Sequence, residues 1–369
     1  MASASSLARA AILSHLVVVS AQRSLQIAPP PAYYPRLLGG NNITGSPLAI
    51  GVVEAPTDAE KRLVMVRRTG LAPQESWAVA ETVVSVPFAA DVDLSNGYLL
   101  ALPSGVLLCA YRHHNGTGAD RVFRIQVSAS ADGGQTWSQL ATVTSGPVGV
   151  WEPLLFQFSS DDAQTVQIYY SAELTNLGEQ DVVRQTSTDG GKTWGAVDAR
   201  IHTPGSRNGM PGVVEVADGS AVIVFEGFWG PFGWNHFTVQ SCRSFDRGAT
   251  WIQCGILHAP TSSDFNSGSP QVAMCPGTTK IVAVFMTSDP SSSGSAWPDG
   301  AHIGIVSGHL NATNITAPIV FPSTASVVPT ATTAYWPATF YDEAQQSLRV
   351  SYNPPDSSAQ LTINTECID

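Results

Sequence analysis

The amino-acid sequence predicts an all-β protein, a six-bladed β-propeller of four-stranded antiparallel blades, and three observations carry that prediction. The first is one eight-residue pattern met three times at a spacing of 57 residues (Asp132, Asp189, Asp246): Ser130-Ala-Asp132-Gly-Gly134-Gln-Thr136-Trp137, Ser187-Thr-Asp189-Gly-Gly191-Lys-Thr193-Trp194 and Ser244-Phe-Asp246-Arg-Gly248-Ala-Thr250-Trp251. An Asp that accepts backbone N–H bonds within its own turn, followed by Gly where φ > 0 is needed, closes a tight hairpin, and the Trp opens the next strand. The second is a Pro placed ahead of an apolar run some way after each Trp, in Glu152-Pro153, Met210-Pro211 and Ser269-Pro270, with a fourth copy in Trp336-Pro337. The third is composition: 32 Gly, 25 Pro and 13% charged residues in a chain of 369, as expected for closely spaced strands and short turns. A period of this length with hairpin chemistry marks propeller blades, and residues 22–369 hold about six such periods.

In chain order, residues 1–21 read as a secretory signal peptide: Arg9 is the only early charge, an apolar stretch runs from Ala10 to Val19, and Val19-Ser20-Ala21 offers a cleavage site. Residues 22–369 are expected to form one propeller domain. Blades fall at about 88–145, 146–205, 206–262, 263–330 and 331 onward, with a sixth from 45–87 completed by the C-terminal strand Gln360 to Thr365 so that no sheet edge stays open at the seam. Each Xaa-Pro step is read as opening an innermost strand, where no ladder donor is required. Second strands are expected at Gly105 to Tyr111, Val166 to Tyr170, Ala221 to Phe225, Ile281 to Phe285 and Leu348 to Tyr352. Strands of a blade alternate in direction, so the Asp turns mark the back of the molecule. Functional side chains should come from the opposite face, at first-strand starts and second-strand ends.

A formal charge of −11, with only three Lys, argues against nucleic acid or an anionic membrane as partner and favours a neutral substrate. No run after the leader approaches the ~18 apolar residues that span a bilayer. Four Asn-x-Ser/Thr sequons, at Asn42, Asn115, Asn311 and Asn314, fit a secreted, glycosylated, monomeric protein. Cys242 and Cys254 lie symmetrically about Gly248, so the third hairpin should join them in a disulfide. Cys109 reads as a buried thiol, and a pairing of Cys275 with Cys367 stays open. C-x-x-C, H-E-x-x-H and G-x-S-x-G patterns are lacking, which removes common zinc and serine-hydrolase readings; no cofactor or metal is expected.

Two glutamates stand out on the functional face, Glu152 in Trp151-Glu152-Pro153 and Glu226 in Phe225-Glu226-Gly227, on adjacent blades and within apolar runs where an unpaired carboxylate is costly. Cleavage of a glycosidic bond uses two such groups. A structural alternative is a Glu that caps strand N–H groups or pairs with Arg207 or Arg112. The eight-residue pattern resembles the Asp-box of the sialidase-like propellers. Together with Trp-Glu-Pro, Ser206-Arg207-Asn208-Gly209-Met210-Pro211 and the Phe225-Glu226 step, it is similar over nearly the whole mature chain to glycoside hydrolase family 93, the exo-α-1,5-L-arabinanases. The resemblance implies a retaining enzyme that releases arabinobiose from the non-reducing end of linear arabinan in plant cell walls, with Glu152 as nucleophile and Glu226 as general acid/base.

Around this pair, Trp151, Phe228, Trp229 and Trp234 offer aromatic faces for sugars, and Arg112, Arg207 and Asn208 offer donors to hydroxyls. Tyr335 is placed to hydrogen-bond the nucleophile. His113 and His114 read as surface-loop residues. Two other functions remain: a sialidase, disfavoured because Arg36 is followed by Leu-Leu and not by the Ile-Pro of the sialidase arginine motif, and a non-catalytic, lectin-like propeller.

Overall fold

In the computed structural model, the described residues are 25–28, 31–39, 49–70, 75–174, 178–216, 219–229, 236–289, 297–310, 319–321, 326–327, 333–354 and 361–367. The expected leader, Trp234, Asn42, Asn311, Asn314 and most of the segment 289–299 lie outside them. Within them the chain is all-β, with a single 3-10 turn at Gly118–Asp120.

Strands follow one another as antiparallel units. The first unit is β1 (Tyr33–Leu38), β2 (Ile50–Glu54), β3 (Glu60–Gly70) and β4 (Ser76–Pro87); the second is β5 (Val92–Ala101), β6 (Leu107–Asn115), β7 (Phe123–Ser130) and β8 (Ser138–Gly146). Next come β9 (Val150–Phe156), β10 (Val166–Glu173), β11 (Gln180–Ser187) and β12 (Ala199–Ile201), then β13 (Ser206–Glu215), β14 (Ala221–Trp229), β15 (Phe237–Ser244) and β16 (Ile252–His258). These two units are joined through a parallel pairing of Gln180 with Arg207. The last are β17 (Lys280's neighbour strand, Ser267–Met274), β18 (Lys280–Thr287), β19 (His302–His309) and β20 (Ser326–Val327), followed by β21 (Tyr335–Asp342), β22 (Ser347–Asn353) and β23 (Leu361–Glu366). First strands contact one another in order, β1 to β5, β9, β13, β17 and β21, and β21 contacts β1.

Apolar residues are not gathered into one core. They form six clusters between consecutive units, for example Leu63, Met65, Leu99 and Leu107 between the first two, and Val282, Ile303, Leu348 and Val350 between the last two. Alternation along a strand explains this: each sheet is apolar on both faces and buries each against a neighbour.

One irregularity recurs in every first strand. A residue with φ near +50° is followed by Pro or Gly: Tyr34-Pro35, Asn96-Gly97, Glu152-Pro153, Met210-Pro211, Ser269-Pro270 and Trp336-Pro337. The ladder slips at each of these steps, for example between Gly209 and Gly212 and between Gly268 and Gln271. The prolines therefore do not open their strands, as the sequence suggested. They sit mid-strand at β-bulges, where the missing N–H faces no ladder acceptor.

The Asp turns close β7–β8, β11 and β15–β16 as expected. In the first, Ser130 Oγ accepts from Gly134 N (2.8 Å), Asp132 Oδ1 accepts from Thr136 N (2.9 Å), and Trp137 Nε1 donates to Gly134 O (3.1 Å). Cys242 and Cys254 form the expected disulfide, with Cα atoms 4.1 Å apart, and Cys275 pairs with Cys367. Cys109 is a buried free thiol.

The seam differs from the expectation. The C-terminal strand β23 pairs with β22 of its own unit, and the first unit is completed by Tyr33–Leu38, which carries the same bulge as the other first strands. Side chains join the ends instead. Asn353 Oδ1 accepts from Tyr34 N (2.7 Å) while its Nδ2 donates to Ala32 O (2.8 Å), and buried Asp342 takes Arg68 and Arg349 together.

Candidate active site

Bulges and second-strand ends build this face. At several junctions a side chain ending one second strand accepts the N–H of the next unit's bulge residue: Glu54 for Asn96 (2.9 Å), Ser171 for Met210 (3.2 Å), Glu226 for Ser269 (2.7 Å) and Asn353 for Tyr34. The positive φ turns that amide out of the ladder, and a carboxylate, hydroxyl or side-chain amide oxygen takes it. Capping is thus one function of Glu226.

Glu226 has a second oxygen outside this role. Its Oε2 holds Ser269 N, whereas a Cβ added to Gly209 would lie 3.6 Å from its Oε1 and 3.3 Å from Ser171 Oγ. That hydroxyl donates to Glu152 Oε2 at 2.7 Å, and Met210 N approaches the same oxygen at 3.4 Å. Both carboxylates thus approach the Gly209–Met210 step, where a Cβ on Gly209 would first meet Gln180 Nε2 at 2.8 Å. Gly268 leaves room on the other side of Glu226: a Cβ there would stand 2.4 Å from Oε2 and 3.5 Å from the Trp297 ring.

Electrostatics separates the pair. Burial, and then the charge of Glu152, raise the Glu226 carboxyl to about 7, against the lowering effect of the Ser269 amide. Glu152 is also raised by burial, but the Ser171 hydroxyl, Arg112, the Met210 amide and Arg207 all favour its charged form. Burial raises both carboxyls, and for Glu226 the charge of Glu152 adds to that shift.

Trp151 stands beside Glu152 in a polar and aromatic frame. Its Nε1 donates to Glu173 (3.2 Å), which also accepts from Arg207 (3.3 Å). His114 and Phe123 meet its ring edge-on at 4.9 and 5.4 Å, and Arg112 lies 5.4 Å over it. Arg112 and Arg121 both bind Asp93. Next to this frame is a cavity of about 380 Å³ lined by Lys61, Asp91, Asp93, His114, Thr117 and Arg121.

Several sequence expectations change here. Asn208 is fully buried, with its amide on Ile201 O and Thr203 and its oxygen on Ser206, so it braces β13 and does not reach a sugar. Tyr335 donates to Asp299 (3.5 Å), not to Glu152; the tyrosine within electrostatic reach of Glu152 is Tyr34. His114 is 1% exposed in β6 with Nε2 on Val150 O, not a surface-loop residue. Phe228 packs edge-on against Phe237, and of Trp229 only the backbone, at the end of β14, is described. Asn115 Oδ1 accepts from Arg124. Tyr34, Glu54, Ser171, Glu173 and Trp297 were missed. Tyr34-Pro35 repeats the Xaa-Pro signal, and Val53-Glu54 ends a second strand as Phe225-Glu226 does, so two of them were within reach of the sequence.

No known family model matches this chain, and no curated protein matches it in sequence. Solved structures do share its fold. The glycoside hydrolase family 93 α-L-arabinofuranosidase of Fusarium graminearum, in complex with arabinobiose, superposes with a TM-score of 0.62 at 20% identity, covering 93% of this chain and 97% of that one. The Penicillium chrysogenum α-L-arabinanase complexed with arabinobiose gives 0.63, again at 20% identity with 93% and 97% covered. The NanB sialidase of Streptococcus pneumoniae gives 0.63 at 11% identity, covering 95% of this chain and 70% of that one. The chain shares the fold of these structures.

Proposed function

We propose that this chain is a secreted, retaining glycoside hydrolase, a six-bladed propeller whose six strand units are its blades and which releases arabinobiose from the non-reducing end of linear α-1,5-L-arabinan. The observation that carries this reading is the carboxylate pair at the Gly209–Met210 step, with Glu226 raised to about 7 in part by the charge of Glu152. A retaining cycle starts from one protonated carboxyl and one carboxylate, and the charge of Glu152 acting to raise Glu226 fits that division. Glu226 gives its proton to the leaving sugar oxygen while Glu152 attacks the anomeric carbon. Glu226 then takes a proton from the water that opens the glycosyl-enzyme bond at Glu152.

The fold shared with two arabinobiose-bound structures supports the substrate class. Two disulfides suit an oxidising compartment and so the secretory reading of residues 1–21. Against a sialidase stands Arg36: it is buried with its Nη1 committed to backbone carbonyls, so it does not present a bidentate fork to a substrate carboxylate. Incubation in parallel with linear arabinan, a branched arabinan and a sialyl substrate tests the proposal. Arabinobiose from the linear polymer alone is expected, and release of sialic acid would overturn it.

A further inference from the structure

Two residues past each bulge position, the six first strands carry Arg36, Tyr98, Leu154, Gly212, Gln271 and Ala338. Arg36 is the one charged side chain of this layer, and it is 3% exposed. Its Nη1 donates to the carbonyls of Pro35, Trp336 and Pro337, its face lies 3.8 Å over Tyr34, and its Nη2 has no hydrogen-bond partner. None of these contacts is a carboxylate. A small cavity opens beside it, lined by Arg36, Tyr98, Gln271, Ala338, Thr339 and leucines of β1 and β5, with about 10 Å³ for the centre of an occupant. That is about the least room that holds one particle of the size of a water, so a single small occupant is the most it takes.

Three side chains of this lining besides Gln271 carry donors: Arg36, Tyr98 and Thr339. Thr339 Oγ1 is buried and unpartnered. Burial pushes the Tyr98 hydroxyl up to about 12, so it keeps its proton. The Gln271 amide nitrogen is already committed to Pro211 O (3.3 Å). A buried cation with no anionic partner is costly, and a water would satisfy donors without answering the charge.

We propose that the cavity is a structural anion site that holds one chloride on Arg36 Nη2, with the Thr339 and Tyr98 hydroxyls as further donors. It sits one layer below the bulge ring that carries Glu152, and it ties together first strands of the first, second, fifth and last units, across the seam.

Bromide is the probe. Crystals of the full chain soaked in sodium bromide should show an anomalous peak within hydrogen-bonding reach of Arg36 Nη2; ordinary water density there without anomalous signal would overturn the site. In solution, chloride binds the folded chain alone and should raise the melting temperature in proportion to the logarithm of its concentration, beyond gluconate at equal ionic strength, since gluconate is too large to enter. Arg36→Gln should remove that difference. Should Arg36→Gln fail to fold, Thr339→Val keeps the charge and should shift the chloride response to higher concentration. Equal responses of the native chain to the two salts would contradict the proposal.

Discussion

At the scale of single residues, the account rests on what distinguishes Glu226 from Glu54. Both cap the amide of the next bulge, but Glu54 also takes the Ser95 hydroxyl on the same oxygen, whereas Glu226 faces Gly209 and the charge of Glu152. With its carboxyl at about 7, Glu226 is protonated below that pH and the general acid is lost above it, so kcat/KM should fall as pH rises through about 7, read from a pH profile on arabinan. On an aryl α-L-arabinofuranoside whose leaving group needs no acid, Glu226→Ala should lose that alkaline limb. Azide should rescue this variant, attacking the glycosyl-enzyme to give the α-arabinosyl azide, while rescue of Glu152→Ala should give the β product; the reverse outcome would exchange the two roles. Both glutamates were legible in the sequence because a carboxylate inside Trp-Glu-Pro or Val-Phe-Glu-Gly breaks an apolar run. Asn208 and Tyr335 were misread because position near the face was visible but side-chain direction was not: a bulge intervenes just after each and redirects the strand.

At the scale of elements, hairpins were read well and bulges were not. The Asp turns close locally, through bonds among residues four apart, so eight residues suffice to specify them. The bulges depend on a partner from the preceding unit, as Met210 N depends on Ser171, and no short window of sequence contains both. The disulfide of the β15–β16 hairpin belongs to the local class. It lies in the outer strands of its unit, so replacing Cys242 and Cys254 by Ala and Ser should cost about 2–4 kcal/mol, seen as a lower urea midpoint, with kcat on arabinan unchanged. A large loss of activity at full folding would show that the hairpin positions Glu226 through β14.

At the scale of the whole molecule, repetition marked successive strand units along the chain, and the ends escaped it. A sequence period says nothing about which terminus completes which sheet. Here the N-terminal strand lies innermost in its own unit and the join is made by Asn353 and by buried Asp342 with Arg68 and Arg349. Removing one member leaves uncompensated buried charge, so Asp342→Ala should lower stability by about 3–5 kcal/mol in chemical denaturation, far more than loss of an exposed pair. The contact of β9 with β13 brings Glu152 and Glu226, on neighbouring units, towards a single site. Proton NMR of linear arabinan during digestion by the intact chain tests that site most directly. The account requires arabinobiose as the early product, appearing first as its α-anomer and only later equilibrating to β. First appearance of the β-anomer, or an early mixture of longer oligosaccharides, would contradict it.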